Sequence, residues 1–218
     1  MWAVLALAGA AVVFGGAAIA HPHVFIDTGV EVIFDDAGLA AALRISWTYD
    51  DLYSLMIIAD RGLDADFDGA LTAEEETALS GFDMDWDEGF PGDTYALKEG
   101  AALALSRPAD WTARYQGGRI TSTHLRRFAE PVPVGAVPLV VQVYDPSFYS
   151  AYTIASAPVL TGGAACRTQV FEPDRAAADA RLLAAMEELS GSADAEADFP
   201  AIGDAYAEEV RITCAAPS

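Results

Sequence analysis

After an apolar first segment, the chain alternates between apolar and polar residues over its first folded stretch. Residues 24–34 are rich in β-branched and aromatic side chains at alternate positions, which predicts a β-strand. The sequence DDAG at residues 35–38 is typical of a turn, and residues 39–48 predict a second strand. We therefore expect a β-hairpin at the start of the fold.

Helical spacing replaces this alternation in three later segments. Leu52, Leu55, Met56 and Ala59 are spaced i, i+3, i+4 and i+7, which predicts an amphipathic helix. The sequence TAEE from Thr72 has the form of a capping box and predicts the start of a second helix. Residues 174–189 predict a third helix, with four apolar side chains on one face.

Short extended segments separated by turns occupy most of the remaining chain, and a short helix followed by a strand is expected at its end. We predict an α+β fold that is predominantly antiparallel β and sandwich-like, with a C-terminal helix and an EF-hand-like helical insertion at residues 50–90. A barrel is the alternative. The further strands are predicted at residues 95–97, 102–105, 112–115, 120–128, 137–144, 153–160 and 166–171.

The apolar first 20 residues predict a signal peptide. Small residues in the sequence AIA precede His21, as at a signal-peptidase site, so residues 21–218 are expected to form a single β-rich periplasmic domain. The segment lacks the usual basic residues, and an uncleaved membrane anchor is the alternative. Cleavage would make His21 the first residue of the mature protein.

The overall charge and the cysteines limit the classes of partner and compartment. A formal net charge of −21 disfavours nucleic acid as a partner, because phosphates would be repelled. Cys166 and Cys214 are the two cysteines, and in an oxidising compartment they predict one disulfide bond. Two unpaired buried thiols are the alternative.

Residues 64–75, DADFDGALTAEE, match the calcium-binding loop of an EF-hand. Gly69 at position 6 permits the sharp turn of such a loop. Hard carboxylate oxygens in this arrangement favour calcium, which we expect to be a structural cofactor; an acidic solvated turn is the alternative. The candidate ligands are Asp64, Asp66, Asp68, Ala70, Thr72 and Glu75.

A second candidate metal site involves the three histidines, His21, His23 and His124. A terminal His21 would offer its α-amine and its imidazole, and His23 would lie on the same face of an extended chain. Because Pro22 has no N–H to lose, square-planar chelation of the metal through deprotonated backbone amides is excluded. Imidazole suits nickel, cobalt, zinc or copper. The alternatives are a frayed terminus and, for His124, an ordinary packed or surface histidine.

Two longer sequences carry a resemblance to a known bacterial family. HPHVFID at residues 21–27 and WTYDDLYS at residues 47–54 resemble domain-of-unknown-function family 1007, described as an uncharacterised ABC-type transport system, periplasmic component. VYDPSFY at residues 143–149 and the late cysteines are similar as well. Members often accompany membrane permeases of the nickel/cobalt efflux type, so the resemblance implies a periplasmic role in metal handling.

We expect a periplasmic accessory protein, not an enzyme, that buffers or delivers a transition metal for a membrane transporter and carries a structural calcium site. No catalytic constellation is evident in the sequence. One alternative is an interaction module without a transition metal, which contacts its partner through its sheet or through Phe148, Tyr149 and Tyr152. Another is a copper redox enzyme with an N-terminal histidine brace. The sequence leaves the oligomeric state open.

Overall fold

The fold begins with the predicted hairpin. The computed structural model describes residues 22–163, 165–189 and 199–215. Strands β1 (Val24–Phe34) and β2 (Ala40–Tyr49) pair antiparallel, and every second side chain of β1 is buried. The Asp35 carboxylate closes the turn between them by accepting hydrogen bonds from the backbone N–H groups of Ala37 and Leu39. The alternation that predicts the strand is therefore the alternation between core and surface.

The hairpin is followed by two helices, a run of strands, and two further helices before the last strand. The segment between β2 and β3 contains α1, α2 and the acidic loop that joins them. The remaining elements are α1 (Asp51–Asp60), α2 (Ala73–Leu79), β3 (Thr94–Lys98), β4 (Ala101–Leu103), β5 (Ala109–Gln116), β6 (Arg119–Val132), β7 (Leu139–Val143), β8 (Ser150–Ile154), β9 (Val159–Thr161), β10 (Cys166–Phe171), α3 (Arg175–Leu189), α4 (Gly203–Tyr206) and β11 (Glu209–Cys214).

The strands form two sheets that share one apolar core. The first sheet has the order β5-β6-β2-β1-β8, with β9 also paired to β1, and the second has the order β10-β11-β7-β3-β4. Fully buried side chains such as Val32 and Ile45 from the first sheet belong to the same core as Val141 and Val210 from the second. The predicted sandwich-like α+β fold is confirmed.

Strand direction differs from the expectation at one edge of the first sheet. Short connections predict antiparallel neighbours, but β8 and β9 both pair with β1 in parallel. The chain reaches β8 from β7, which belongs to the other sheet. No hairpin joins β8 to β1, so a short connection does not set the direction of this pair.

The predicted apolar face of α1 is not the face that packs. Leu52, Leu55 and Met56 are 51–69% exposed, whereas the buried residues of α1 are Ser54 and Ile58. The helix itself is confirmed, with the Asp50 carboxylate accepting a hydrogen bond from the backbone of Tyr53. The Ser54 hydroxyl accepts a hydrogen bond from the backbone N–H of Ile120, so a polar contact ties α1 to β6.

The cysteines are joined at the end of the second sheet. Cys166 and Cys214 face each other in the register of β10 and β11 and form the predicted disulfide bond. Such bonds are typical of proteins in oxidising compartments. Within the described ranges, none of the helices has the length and apolar character that a bilayer crossing requires.

Candidate metal centre

The acidic loop is held between α1 and α2. Helix α1 ends at Asp60, and α2 begins after Thr72, whose hydroxyl accepts a hydrogen bond from the backbone of Glu75. The Glu75 carboxylate accepts in return from the Thr72 backbone, so the predicted capping box is present. Leu63 and Leu71 pack against the core at the two ends of the loop. The loop therefore has fixed ends, and its acidic middle faces solvent.

Three aspartates converge in this loop. One carboxylate oxygen each from Asp64, Asp66 and Asp68 lies within 4.8 Å of the others, and in the described part of the chain no other set of three such side chains does so. The Asp64 carboxylate accepts hydrogen bonds from the backbone N–H groups of Asp68 at 3.0 Å and Gly69 at 3.2 Å. Gly69 has a φ of 79°, a left-handed conformation that favours glycine at this turn.

The other predicted ligands belong to the same loop, and among them Glu75 is not part of the converging group of side chains. Ala70, Thr72 and Glu75 line a cavity of about 520 Å³ together with Asp66 and Asp68. Glu75 uses one oxygen to accept from the Asp64 backbone at 3.0 Å and the other to accept from the Thr72 hydroxyl at 2.8 Å. Hydrogen bonds from the Thr72 backbone, and then from its hydroxyl, lower the pKa of Glu75, which keeps its carboxylate ionised.

This arrangement concentrates negative charge at short range. Asp66 and Asp68 are exposed, and Asp64 is only 9% exposed. Carboxylates this close repel one another, and a cation among them would relieve the repulsion. Oxygen ligands of this kind, with backbone carbonyls nearby, are the set that calcium prefers. The loop can therefore offer a divalent cation three carboxylates before any rearrangement of Glu75.

The histidines of the predicted second site lie in different surroundings. His21 lies outside the described residues. His23 is exposed, its ring centroid lies 4.8 Å from that of Tyr149, and its backbone N–H donates to the Tyr149 carbonyl at 2.7 Å. These contacts fix the chain immediately after Pro22 against the start of β8. A ligand at His23 would therefore sit at the protein surface.

His124 lies in the core, on β6. It has no exposed surface, and its ring packs edge-on against Trp47 at 4.6 Å and Trp86 at 5.4 Å between centroids. Neither ring nitrogen has a hydrogen-bond partner. Burial, reinforced by the nearby Arg126 guanidinium, lowers the pKa of His124 to about 3, so the imidazole is neutral at physiological pH. His23 and His124 do not belong to a common group of three metal-binding side chains among the described residues.

The three aromatic residues considered as a docking surface also differ from one another. Phe148 stacks on Tyr206 with centroids 4.5 Å apart, and Tyr149 is 45% exposed. Tyr152 instead points inward and donates a hydrogen bond to the carboxylate of Asp93 at 2.8 Å. They therefore do not share one exposed face.

Two acidic residues that sequence reasoning did not select, Asp83 and Asp93, lie in desolvated surroundings. Asp93 is 7% exposed, and burial raises its pKa to about 7. Burial also raises the pKa of Asp83, which accepts hydrogen bonds from the hydroxyls of Tyr49 at 2.7 Å and Ser122 at 2.5 Å. The nearest indication in the sequence is the run of alternating aspartates around Trp86. The tyrosine that bonds to Asp83, however, lies on the distant strand β2.

The sequence matches a known protein family over nearly its whole length. Residues 5–214 match the family described as "Protein of unknown function (DUF1007)". No curated protein is similar enough to the chain to match it.

Proposed function

The chain belongs to this DUF1007 family, and we propose that it is a periplasmic accessory protein that binds metal ions. In this proposal calcium occupies the loop at residues 64–75 and stabilises the fold. A transition metal of the nickel, cobalt, zinc or copper class binds at the mature N-terminus, where His21 and His23 are the ligands; His124, buried in the core opposite Ile45, does not take part. The protein buffers this metal or delivers it to a membrane permease and performs no catalysis itself.

The observation that carries the proposal is the convergence of Asp64, Asp66 and Asp68. The disulfide bond supports an oxidising compartment such as the periplasm. The exposure of His23 supports the transfer role, because an exposed and incomplete shell can release its ion to a second protein. The nickel/cobalt type of permease as the partner comes from the family resemblance alone.

Calcium titration of the mature protein, residues 21–218, tests the first part. We expect one calcium ion to bind with a Kd on the order of 0.1–1 mM, as in extracellular modules. At about 10 mM calcium this affinity stabilises the fold by roughly 1.4–2.7 kcal/mol. For a domain of this size that is a rise in Tm of about 3–10 °C, measured by differential scanning calorimetry.

Asp66→Asn and Asp85→Asn form the matched pair of variants. Asp66 belongs to the converging set, whereas Asp85 is an exposed aspartate outside it. Asp66→Asn should weaken calcium binding by about tenfold and reduce the stabilisation at about 10 mM calcium to roughly 0.4–1.4 kcal/mol, because a ligand charge is lost while the amide oxygen remains. Asp85→Asn should leave both unchanged. Equal calcium affinity in the two variants would contradict a calcium site in this loop.

The N-terminal site needs its own titration. Isothermal titration with nickel, cobalt, zinc and copper chlorides should give one equivalent of tight binding for the wild type. The double variant His21→Ala/His23→Ala should lose it, and Asp66→Asn should retain it. Mass analysis of the exported protein must find His21 at the N-terminus. An exported form that starts elsewhere, or that binds none of the four metals, would refute this part and leave the calcium proposal standing.

A further inference from the structure

A large cavity lies where the chain leaves the second sheet at β4 and crosses to the first. It measures about 490 Å³ and is lined by residues of β3 and β4, by the segment that follows β4, and by Arg126 of β6. In that segment the Ser106 backbone N–H donates to the Arg127 carbonyl at 2.8 Å, so both sheets contribute to the walls. Phe90 is 41% exposed and Arg107 is exposed, and the cavity therefore opens to the surface on their side. A cavity of this volume can hold a small organic molecule.

The charge of this cavity is opposite to that of the molecule. The chain has 33 acidic and 12 basic side chains, yet the charged residues among the described ones that line the cavity are two arginines, Arg107 and Arg126. Neither arginine forms an ion pair within the described part of the chain. The remaining walls are mostly apolar and include Trp86, Phe90 and Leu103. The cavity therefore combines positive charge with an apolar lining.

Arg126 is buried in the wall of the cavity, and its neighbours hold the guanidinium group in place. The residue is only 4% exposed. Its Nε donates to the Ser106 carbonyl, and its Nη1 donates to the Pro91 carbonyl at 3.0 Å. The guanidinium carbon lies 4.8 Å from the centroid of the Trp86 ring, a cation–π contact. Because all three partners line the cavity, the charged end of the side chain is the part that reaches it.

Gly92 allows the backbone to approach this guanidinium group closely. Its φ is 68°, a left-handed conformation that favours glycine. A Cβ at this position would lie 2.6 Å from Nη1 of Arg126 and 2.2 Å from the ring of Trp86, so a larger residue would push the two side chains away. The contact between Arg126 and Trp86 is therefore fixed from the backbone side as well.

One terminal nitrogen of Arg126, Nη2, is left for a ligand. It has no hydrogen-bond partner among the described residues, and it is not one of the polar atoms that the structure closes off from solvent. Burial lowers the pKa of Arg126 to about 10, so the guanidinium group stays charged at physiological pH although it has lost part of its hydration. Buried charges are normally paired with an opposite charge. An anion in the cavity would supply that charge.

We propose that this cavity binds a small apolar carboxylic acid in its ionised form, with the carboxylate on the guanidinium group of Arg126 and the hydrocarbon part against the apolar wall. Arg107, which donates to the backbone carbonyls of Trp86 and Asp87, adds a second positive charge on the exposed side. A carboxylate forms a charge-assisted hydrogen bond with Nη2, and the hydrocarbon part displaces water from the wall. A hydrated inorganic anion would gain only the first of these. The inference goes beyond the proposed function, and its outcome leaves both metal sites untouched.

Isothermal titration of the mature protein, residues 21–218, with sodium octanoate at about pH 7.5 measures this binding. At about 30 Å³ for each water-sized group the cavity holds roughly 16 non-hydrogen atoms, so the ten of octanoate fit. For a ligand of this size a Kd on the order of 10 µM to 1 mM is expected.

Three further compounds separate the contributions of charge and chain on the wild type. Acetate has the carboxylate without the chain, 1-octanol has the chain without a charge, and octylammonium has the chain with the opposite charge. Each should bind at least about tenfold more weakly than octanoate. Octylammonium is the most stringent control, because a net charge of −21 attracts cations in general. Equal or tighter binding of octylammonium or 1-octanol would overturn the proposal.

Arg126→Gln and Arg127→Gln form a matched pair of neighbours on β6. Arg127 is exposed, pairs with Asp110 and does not line the cavity. Arg126→Gln should weaken octanoate binding at least about tenfold, whereas Arg127→Gln should leave it unchanged. Arg107→Gln, which changes an exposed residue, should weaken it about two- to fivefold.

Circular dichroism shows whether each variant is folded. The comparison of the four compounds on the wild type decides the proposal even if Arg126→Gln does not fold. Octanoate affinity that is unchanged in Arg107→Gln and in the folded Arg126→Gln, or that falls equally in Arg127→Gln, would also overturn it.

Discussion

At the scale of single residues, the sequence of β6 does not decide whether His124 is a metal ligand or a core residue. A histidine in a strand can serve as a metal ligand or as part of the core. Here the ring is fully buried between Trp47 and Trp86, and neither nitrogen has a partner. An unprotonated, desolvated imidazole could accept a metal, yet the same burial imposes a cost on the folded protein in acid.

Replacing His124 by leucine should change how the free energy of unfolding depends on pH in acid. The folded protein holds the pKa of His124 at about 3, against about 6.5 in an unfolded chain. Below about pH 6.5 the unfolded chain therefore binds the proton more readily, and stability falls as the pH decreases from 6.5 towards 3. The free energy of unfolding of wild type should drop by about 2–3 kcal/mol between pH 7 and pH 4 from this group. Urea denaturation in EDTA measures this difference. Between pH 7 and pH 4 the free energy of unfolding of His124→Leu should fall by about 2–3 kcal/mol less than that of wild type.

His23→Leu is the control for this measurement. Its ring is exposed in the folded protein, so this variant removes a histidine without changing the buried core. At pH 7.5 His124→Leu should be as stable as wild type or more stable by about 1 kcal/mol, because two unpaired buried nitrogens are removed. A strong destabilisation at pH 7.5, together with loss of one equivalent of bound metal, would instead assign His124 to a metal shell.

At the scale of elements, α1 shows that helical periodicity can locate a helix and misplace its buried face. The apolar residues at i, i+3, i+4 and i+7 are mostly exposed, and a serine occupies the buried side. The reason is the hydrogen bond from Ile120 to Ser54, which brings a polar residue to the contact with β6. The packing face is decided by the partner strand, which lies 66 residues away.

A pair of alanine substitutions measures this packing directly. Ile58 is 4% exposed and Leu55 is 57% exposed. Ile58→Ala should lower the free energy of unfolding by about 2–4 kcal/mol, since it removes buried methylene groups and leaves a cavity. Leu55→Ala should change it by less than about 0.5 kcal/mol. Urea denaturation of both variants gives the two values, and a larger loss for Leu55→Ala would mean that α1 packs by the face that the spacing predicts.

The features that could be predicted from the sequence are those that depend on residues close to one another in the chain. The hairpin, the capping box at Thr72 and the aspartates of the loop depend on neighbours within a dozen residues, and they are where the pattern puts them. The buried contacts of Asp83 and Asp93 with tyrosines were missed because their parts come from distant segments. Tyr49, Asp83 and Tyr152 lie on separate elements, and each has an ordinary sequence context. Only the folded sheets bring their polar atoms together in an apolar interior.

At the scale of the whole molecule, the two sheets share one core, and the disulfide bond lies within the second sheet. The Cys166–Cys214 bond joins β10 to β11, and β11 also pairs with β7 in the middle of the second sheet. The bond closes a loop of 48 residues that contains α3 and α4. The first sheet and both proposed metal sites lie outside this loop. The stabilisation that the disulfide bond provides can therefore be changed by mutation without changing the ligands of the metal sites.

The double variant Cys166→Ser/Cys214→Ser tests this separation. In the chain-entropy account, a closed loop of this length stabilises the folded state by about 4 kcal/mol, because it restricts the unfolded chain. Equilibrium urea denaturation should show a loss of about 2–4 kcal/mol, and wild type treated with reductant should lose the same amount. Because Asp66 is remote from the bond in the chain, calcium should bind the folded double variant with unchanged affinity. Weakened calcium binding would mean that the second sheet shapes the loop site, so that the bond and the site form a single cooperative unit.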